Sequence, residues 1–418
     1  MRNRFDRGGR DLTRRQFLAA TGGAGLACLT GAYGCKSKAE SNTITVGILH
    51  SLSGTMAISE AALRDAAMLA IEEINAAGGV LGRRVVAIIE DAASDPVRFP
   101  QRAEKLLVQD KVCSVFGCWT SQSRKAVLPI FEKHNGLLWY PVQYEGNECT
   151  RNVIYTGSAP NQQITPALEW LRSQGHNRFY LVGSDYIFPR IANKIAQNDL
   201  VRMGANVVGE EYLPLGHKDF DETIKRVIAA KPTVIFSTIN GDSNLAFYKQ
   251  LSRASVTAKD IPVMAMSIGE VEVRQMASVY TNGHFATWSY FQSVDTPENT
   301  RFLTNFQKRY GDRRVTGDPI EAAYFQVHLW AQSVKKAGST QVDAIRAAAG
   351  GQTFRAPQGS ISIDVENRHT WKMVRIGKIR DDGQFDIVHT SERAIAPKPW
   401  DASLNNGMQC EWASGKTI

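Results

Sequence analysis

Short apolar runs alternate with amphipathic helical stretches along most of this chain, and they do so in two series. ITVGIL (44–49), VVAIIE (85–90), VCSVFG (112–117) and LLWY (137–140) form the first; FYLVG (179–183), NVVGEEYL (206–213), TVIFSTIN (233–240) and PVMAMS (262–267) form the second. Apolar runs of about four to eight residues between helices are the pattern of strands buried in a parallel sheet. After SGT, the residues Leu63, Ala66, Ala67, Ala70, Ile71 and Ile74 recur with the helical period, and AAGG supplies a glycine stop. Further helices are expected around 97–109, 189–203, 218–230, 243–253, 297–310 and 318–337. The pattern predicts an α/β fold with two similar lobes, and 418 residues exceed what one core usually organises. Segments 152–163 and 284–292 are expected to cross between lobes. From about 359 short strands take over, and DDG (381–383) before an alternating run predicts a hairpin.

Ligands of open α/β sheets bind beyond the carboxyl ends of the strands. In the first series those positions are Trp119, Thr120 and Ser121 after VCSVFG, and Tyr140, Gln143 and Tyr144 at and after LLWY. Ser121 or Ser123 is expected to cap the intervening helix. In the second series GSDYIFPR (183–190) places Tyr186 and Phe188, and NGDSN (240–244) places Asn240, Asp242 and Ser243. HSLSGT adds Ser51, Ser53 and Thr55, and GDPIEAAY opens a helix with Pro319 in its first turn. Each loop alone also reads as ordinary turn chemistry. Together, aromatic and neutral hydrogen-bonding groups at several strand ends point to a pocket between lobes for a small, neutral, polar molecule.

The formal charge of +8 is half due to residues 1–35, where six arginines face two aspartates. No basic stripe with interleaved aromatics occurs, so no nucleic-acid partner is expected. No apolar run reaches the roughly 18 residues of a membrane span. TRRQFL (13–18) resembles a twin-arginine export motif, and AYGC ends at Cys35, which resembles a lipid attachment site. KSKAESNT (36–43) follows as a polar tether. Outside the cytosol Cys113, Cys118, Cys149 and Cys410 are free to pair, with connectivity open. No metal is expected, because no histidine completes a ligand spacing.

Enzyme signatures fail in turn. GxGxxG after a strand, GxxxxGK[ST], HExxH and GxSxG are all missing. Ser184-Asp185 and Asp242-Ser243 lack a placed histidine, and His50 lacks a partner. The acidic loop EDAASD (90–95) reads as solvated. Neither catalysis nor a cofactor is expected.

SLSGTMAISE, AIEEINAAGGVLGR, RKAVLP, LLWYPVQYEG, APNQQ, LVGSDYIFPR, EEYLPLG, NGDSN, VDTPEN, DPIEAAY and VRIGKIRDDGQFDIV resemble the urea-binding components of ABC-type urea transporters. These form a urea and short-chain amide branch of the type I periplasmic-binding family, which also includes branched-chain amino-acid binding proteins. The resemblance runs from Ile44 to about Trp400. It implies two Rossmann-like lobes with parallel sheets joined by three crossover segments. The implied division is a leader over 1–35, a tether over 36–43, lobe 1 over 44–157 and 286–355, lobe 2 over 158–285 and 356–400, and a tail over 401–418. It further implies a monomer, exported and lipid-anchored at Cys35, that delivers urea to a membrane permease served by cytoplasmic ATPases.

Residue by residue, the implied amide pocket falls on Trp119, Ser121, Tyr140 and Tyr186, with Phe188 where the amide sensor has a second tyrosine. Gln143, Asn240 and Asp242 complete the candidate set. Tyr and Ser hydroxyls are expected to donate to the urea carbonyl, while Gln143 or Asp242 accept from its NH2 groups. Three readings compete: a binding protein for short-chain aliphatic amides, a cytoplasmic amide-sensing regulator, and an exported oxidoreductase. The leader argues against the second and the missing cofactor motifs against the third.

Overall fold

The computed structural model describes residues 42–418. The leader with Arg14, Arg15 and Cys35, and the tether up to Ser41, lie outside the described residues.

The first series builds a five-stranded sheet. Its strands are β1 (Thr43–His50), β2 (Arg84–Asp91), β3 (Val115–Gly117), β4 (Leu138–Tyr140) and β5 (Val153–Tyr155), in the order β2-β1-β3-β4-β5. All pairings are parallel. Helix α1 (Ala57–Ala76) buries the predicted face from Leu63 to Ile74. Ala66, Ala67 and Ala70 keep that face low, and a second long helix, Asp318–Ala337, packs closely along α1. Helix α2 spans Arg98–Glu104, and α3 spans Ser121–Lys133. Thr120, not Ser121 or Ser123, caps α3: its side chain accepts from the Ser123 N–H at 3.0 Å. The serines lie one and three residues too far along to cap.

The second series forms a seven-stranded sheet. After α4 (Ile164–Ser173) come β6 (Arg178–Ser184), α5 (Ile187–Arg202), β7 (Asn206–Leu213), α6 (Asp221–Ala230), β8 (Val234–Thr238), α7 (Ser243–Arg253), β9 (Val263–Ala265) and β10 (Phe285–Trp288). These five strands pair in parallel. The chain then adds α8 (Pro297–Tyr310), α9 (Asp318–Ala337) and α10 (Val342–Ala349), followed by a small antiparallel sheet of β11 (Thr353–Ala356), β12 (Gly359–Ile363) and β13 (Thr370–Trp371). Finally β14 (Arg375–Ile379) and β15 (Phe385–Thr390) return to the second sheet as the hairpin foreseen at DDG, antiparallel on the edge of β10.

Strand pairing moves the expected segment limits. Residues 153–155 are an edge strand of the first sheet, so the first crossing is shorter than 152–163. HFATWSYFQ begins with β10, whose Ala286 and Trp288 sit in the second core, so the return to the first lobe starts after Trp288 and not at 286. Ala356, Ile361 and Ile363 pack in the first core, so residues 356–371 belong with the first sheet. The third crossing, between β13 and β14, lies in a stretch of short strands that shows no break in sequence.

Cys149 and Cys410 form a disulfide with Cα atoms 5.6 Å apart. It ties the tail, with its strands β16 (Cys410–Glu411) and β17 (Lys416–Thr417), to the loop after β4. Cys113 and Cys118 are free thiols, and burial pushes both above the ordinary range.

Candidate functional site between the sheet edges

The site starts from the backbone at the end of β3. Gly117 has no room for a side chain, since a Cβ there would lie 2.1 Å from the Leu49 carbonyl oxygen. Cys118 follows with φ of 62°, a left-handed conformation costly for a residue with a Cβ. This turn directs Trp119, Thr120 and Ser121 away from the sheet edge. The Tyr140 hydroxyl donates to the Trp119 carbonyl and so ties the ends of β3 and β4 together.

Residues 141–152 then run without regular structure, yet most are buried. A charge cluster holds them. Arg124, on α3, is fully buried. Its Nε donates to Glu148 Oε1 at 2.7 Å, its Nη2 to Glu145 Oε1 at 2.9 Å, and its Nη1 to Ser121 Oγ at 3.0 Å. Ser121 in turn donates to Glu145. Lys125 Nζ and the Tyr155 hydroxyl complete the Glu148 carboxylate at 3.0 and 2.6 Å. The guanidinium also lies over the rings of Tyr140 and Tyr144, 5.0 and 4.7 Å from their centroids. Burial alone would raise the Glu148 carboxyl; Arg124 and Lys125 override it and hold it near 2.

From the other sheet, Tyr186 stands at the N-terminus of α5. Burial raises its phenol well above the usual range, and Tyr140 and then Glu145 add to the effect. Its helix, α5, contacts α3 of the first lobe. Gln143 spans the two sheets directly: its Nε2 donates to the Met266 carbonyl at 3.0 Å and to Ser267 Oγ at 3.1 Å, just past β9. Gln143 Oε1 is buried with no partner.

Ser121 and Tyr140 thus lie against the Arg124 cluster, Tyr140 holds the Trp119 carbonyl, Gln143 reaches the second sheet, and Tyr186 stands at the start of α5 in the second lobe. Three other candidates sit differently. Phe188 is buried in the second lobe's core with Ala192 and Leu181. Asn240 serves its own turn, with its N–H on Ser184 Oγ and its Nδ2 on the Thr238 carbonyl, both at 3.0 Å. Asp242 lies at the rim, where Thr55 donates to it and Lys218 stands 3.6 Å away. The hydroxyl chemistry also differs from expectation. Tyr140 and Ser121 give their protons to protein acceptors, so each keeps only acceptor capacity. Arg124, Glu145 and Glu148 were not among the candidates. Their signal was present as charges inside otherwise apolar stretches, RKAVLP and PVQYEGNEC.

His50 is buried against Glu60, its Nδ1 3.3 Å from Oε2, and its Nε2 makes no hydrogen bond. Among the described residues no group of His, Cys, Asp and Glu is arranged to hold a metal. No described helix is long and apolar enough to cross a membrane.

Comparison with known proteins agrees with this architecture. Residues 44–406 match the model of the periplasmic binding protein domain. The chain belongs to the periplasmic binding protein family. Over 364 residues it is 24% identical to a Leu/Ile/Val-binding protein homolog 6 of Brucella melitensis, covering 84% of this chain and 91% of that one. A crystallised solute-binding protein of an ABC transporter from Rhodopseudomonas palustris, in complex with 3,4-dihydroxybenzoic acid, superposes with a TM-score of 0.77 at 22% identity, covering 85% of this chain and 99% of that one. A stretch of 124 residues is 39% identical to a protein named limonene hydroxylase from Geobacillus stearothermophilus; it takes in 30% of this chain and 23% of that protein, too little to carry an activity across. By its family this chain is a binding protein and not an enzyme.

Proposed function

We propose that the solute is urea, with close short-chain amides as the alternative ligands of the same cleft. The observation that carries this reading is the compensation of Arg124. Its donors are taken by Glu145, Glu148 and Ser121, so the guanidinium offers no unmatched charge to a ligand carboxylate. An amino acid or an aromatic acid needs such a partner when buried. Urea needs acceptors for four N–H bonds and a donor for one carbonyl. Gln143 Oε1, the remaining lone pairs of Glu145 and the phenol oxygen of Tyr140 are acceptors in the cleft. Tyr186 supplies the donor, and Trp119 walls a flat molecule.

A thermal-shift and calorimetry panel with urea, acetamide, formamide, thiourea, leucine and 3,4-dihydroxybenzoic acid tests this, since a ligand of the folded state alone raises the melting temperature. Urea is expected to give the largest shift. A shift with leucine or the benzoic acid and none with the amides overturns the proposal.

We further infer export by the twin-arginine route and a lipid anchor at Cys35. Arg14→Lys with Arg15→Lys is expected to block export in fractionated cells, and Cys35→Ala to release the protein from membranes. Unchanged fractionation in either case removes the corresponding step.

A further inference from the structure

Two hydrogen bonds join the lobes at the start of α1, one from Thr55 just before the helix and one from Ser59 in its first turn. Thr55 donates to Asp242, which precedes α7. Ser59 Oγ donates to Glu272 Oε1 at 2.6 Å, and Glu272 follows β9 in the short turn Glu270–Val273. Both acceptors are carboxylates, and both belong to the other lobe. No side chain of its own segment caps α1; the N–H groups of Ala57, Ser59 and Glu60 bond to the Gly54 and Met56 carbonyls, and the positive end of the 20-residue helix lies at this rim. The backbone fits closely there. Gly241 has φ of 67°, and a Cβ on it would lie 3.2 Å from the Thr55 carbonyl oxygen and 3.0 Å from Met56 Sδ.

We infer that Thr55–Asp242 and Ser59–Glu272 form a two-point latch, in which the N-terminus of α1 captures two carboxylates of the opposite lobe and sets how long the closed form holds its solute. Ser59 and Glu272 line a small cavity with Trp119 and Ser267. The latch slows release of any solute that fits. When the lobes part, both carboxylates regain water, so the latch is a modest bias on closure and not a lock. Asp242 is accordingly a positioning residue and not a ligand contact. The latch does not depend on the solute being urea.

Thr55→Val and Ser59→Ala remove the donors while keeping size. Stopped-flow release is measured with urea, acetamide and leucine as separate probes. For each probe that binds the wild type, the release rate is expected to rise about three- to thirtyfold per variant, with association little changed and the double variant worse than either single one. The melting temperature of the solute-free protein is expected to fall only slightly, whereas a purely structural role would lower it and leave the release rate unchanged. If urea fails to bind while acetamide or leucine binds, the urea reading falls and the latch is still read from the other probe. A second measurement needs no solute: amide hydrogen exchange at Gly241–Asn244 and Gly269–Val273 is expected to accelerate in both variants. Release rates within twofold of wild type, or unchanged exchange where no probe binds, overturn the latch.

Discussion

Arg124 Nε lies 2.7 Å from Glu148 Oε1, with both side chains out of contact with water, one residue before the disulfide at Cys149. A single ion pair thus links α3, the irregular loop after β4 and the C-terminal tail. Its consequences, and those of the cleft around it, are testable.

Removing one partner from this cluster should be costly. Arg124→Met leaves Glu145 and Glu148 facing each other in a dry interior, with a loss on the order of 3–5 kcal/mol in denaturant unfolding. Combining it with Glu145→Gln and Glu148→Gln should recover a large part of that loss. No recovery would mean that packing around the guanidinium, and not its charge, holds the loop.

The cleft tyrosines should differ in kind. Tyr186→Phe removes the free donor at the cleft and should weaken urea binding by about five- to hundredfold, equivalent to roughly 1–3 kcal/mol. Tyr140→Phe also frees the Trp119 carbonyl, so it should weaken binding and in addition lower stability by about 1 kcal/mol. Calorimetry and thermal melts on the two variants separate these effects. Wild-type urea affinity in both would return the rings to plain core packing.

Stability should decline from mildly acid to mildly alkaline pH. Burial raises the carboxyls of Glu270 and Glu321 to about 8, and nearby Asp318 pushes the same way in both. Each unfolded glutamate ionises at its ordinary value near 4.5, so the unfolded chain gives up the proton first as pH rises. The stabilisation is whole below that value and is lost progressively up to pH 8. Each group contributes a slope of roughly 1.4 kcal/mol per pH unit across that window. Glu321→Gln, away from the cleft, should flatten the decline measured by urea-free guanidinium unfolding at pH 5, 6.5 and 8. An unaltered slope would exclude Glu321 as a source.

The disulfide should matter for the tail and the loop together. Cys149 and Cys410 are 261 residues apart, so the bond restrains much of the unfolded chain. Cys410→Ser should cost about 2–4 kcal/mol, and reductant should bring wild type to the same melting temperature. A variant that melts like the oxidised wild type would show that the bond adds nothing to stability.

Much of this architecture was readable in order along the chain. Strand and helix periods, the glycine stop after α1, Pro319 in the first turn of α9 and the DDG hairpin are local features. They follow from backbone sterics and from side-chain spacing over a few residues. Positions past the carboxyl ends of the strands follow from the same local order, so Trp119, Ser121, Tyr140 and Tyr186 could be named as candidates before any contact was known.

Pairing could not be read that way. Sequence shows that Tyr140 and Ser121 carry hydroxyls; only the folded chain decides that their protons go to Trp119 and Glu145. Sequence shows four cysteines beyond the leader; packing decides that Cys149 meets Cys410. Thr55 and Asp242, 187 residues apart, carry no mark of each other. A hydrogen bond or ion pair depends on angstrom-scale distance between distant segments, and that distance is set by how two sheets and their helices pack, which no local period encodes.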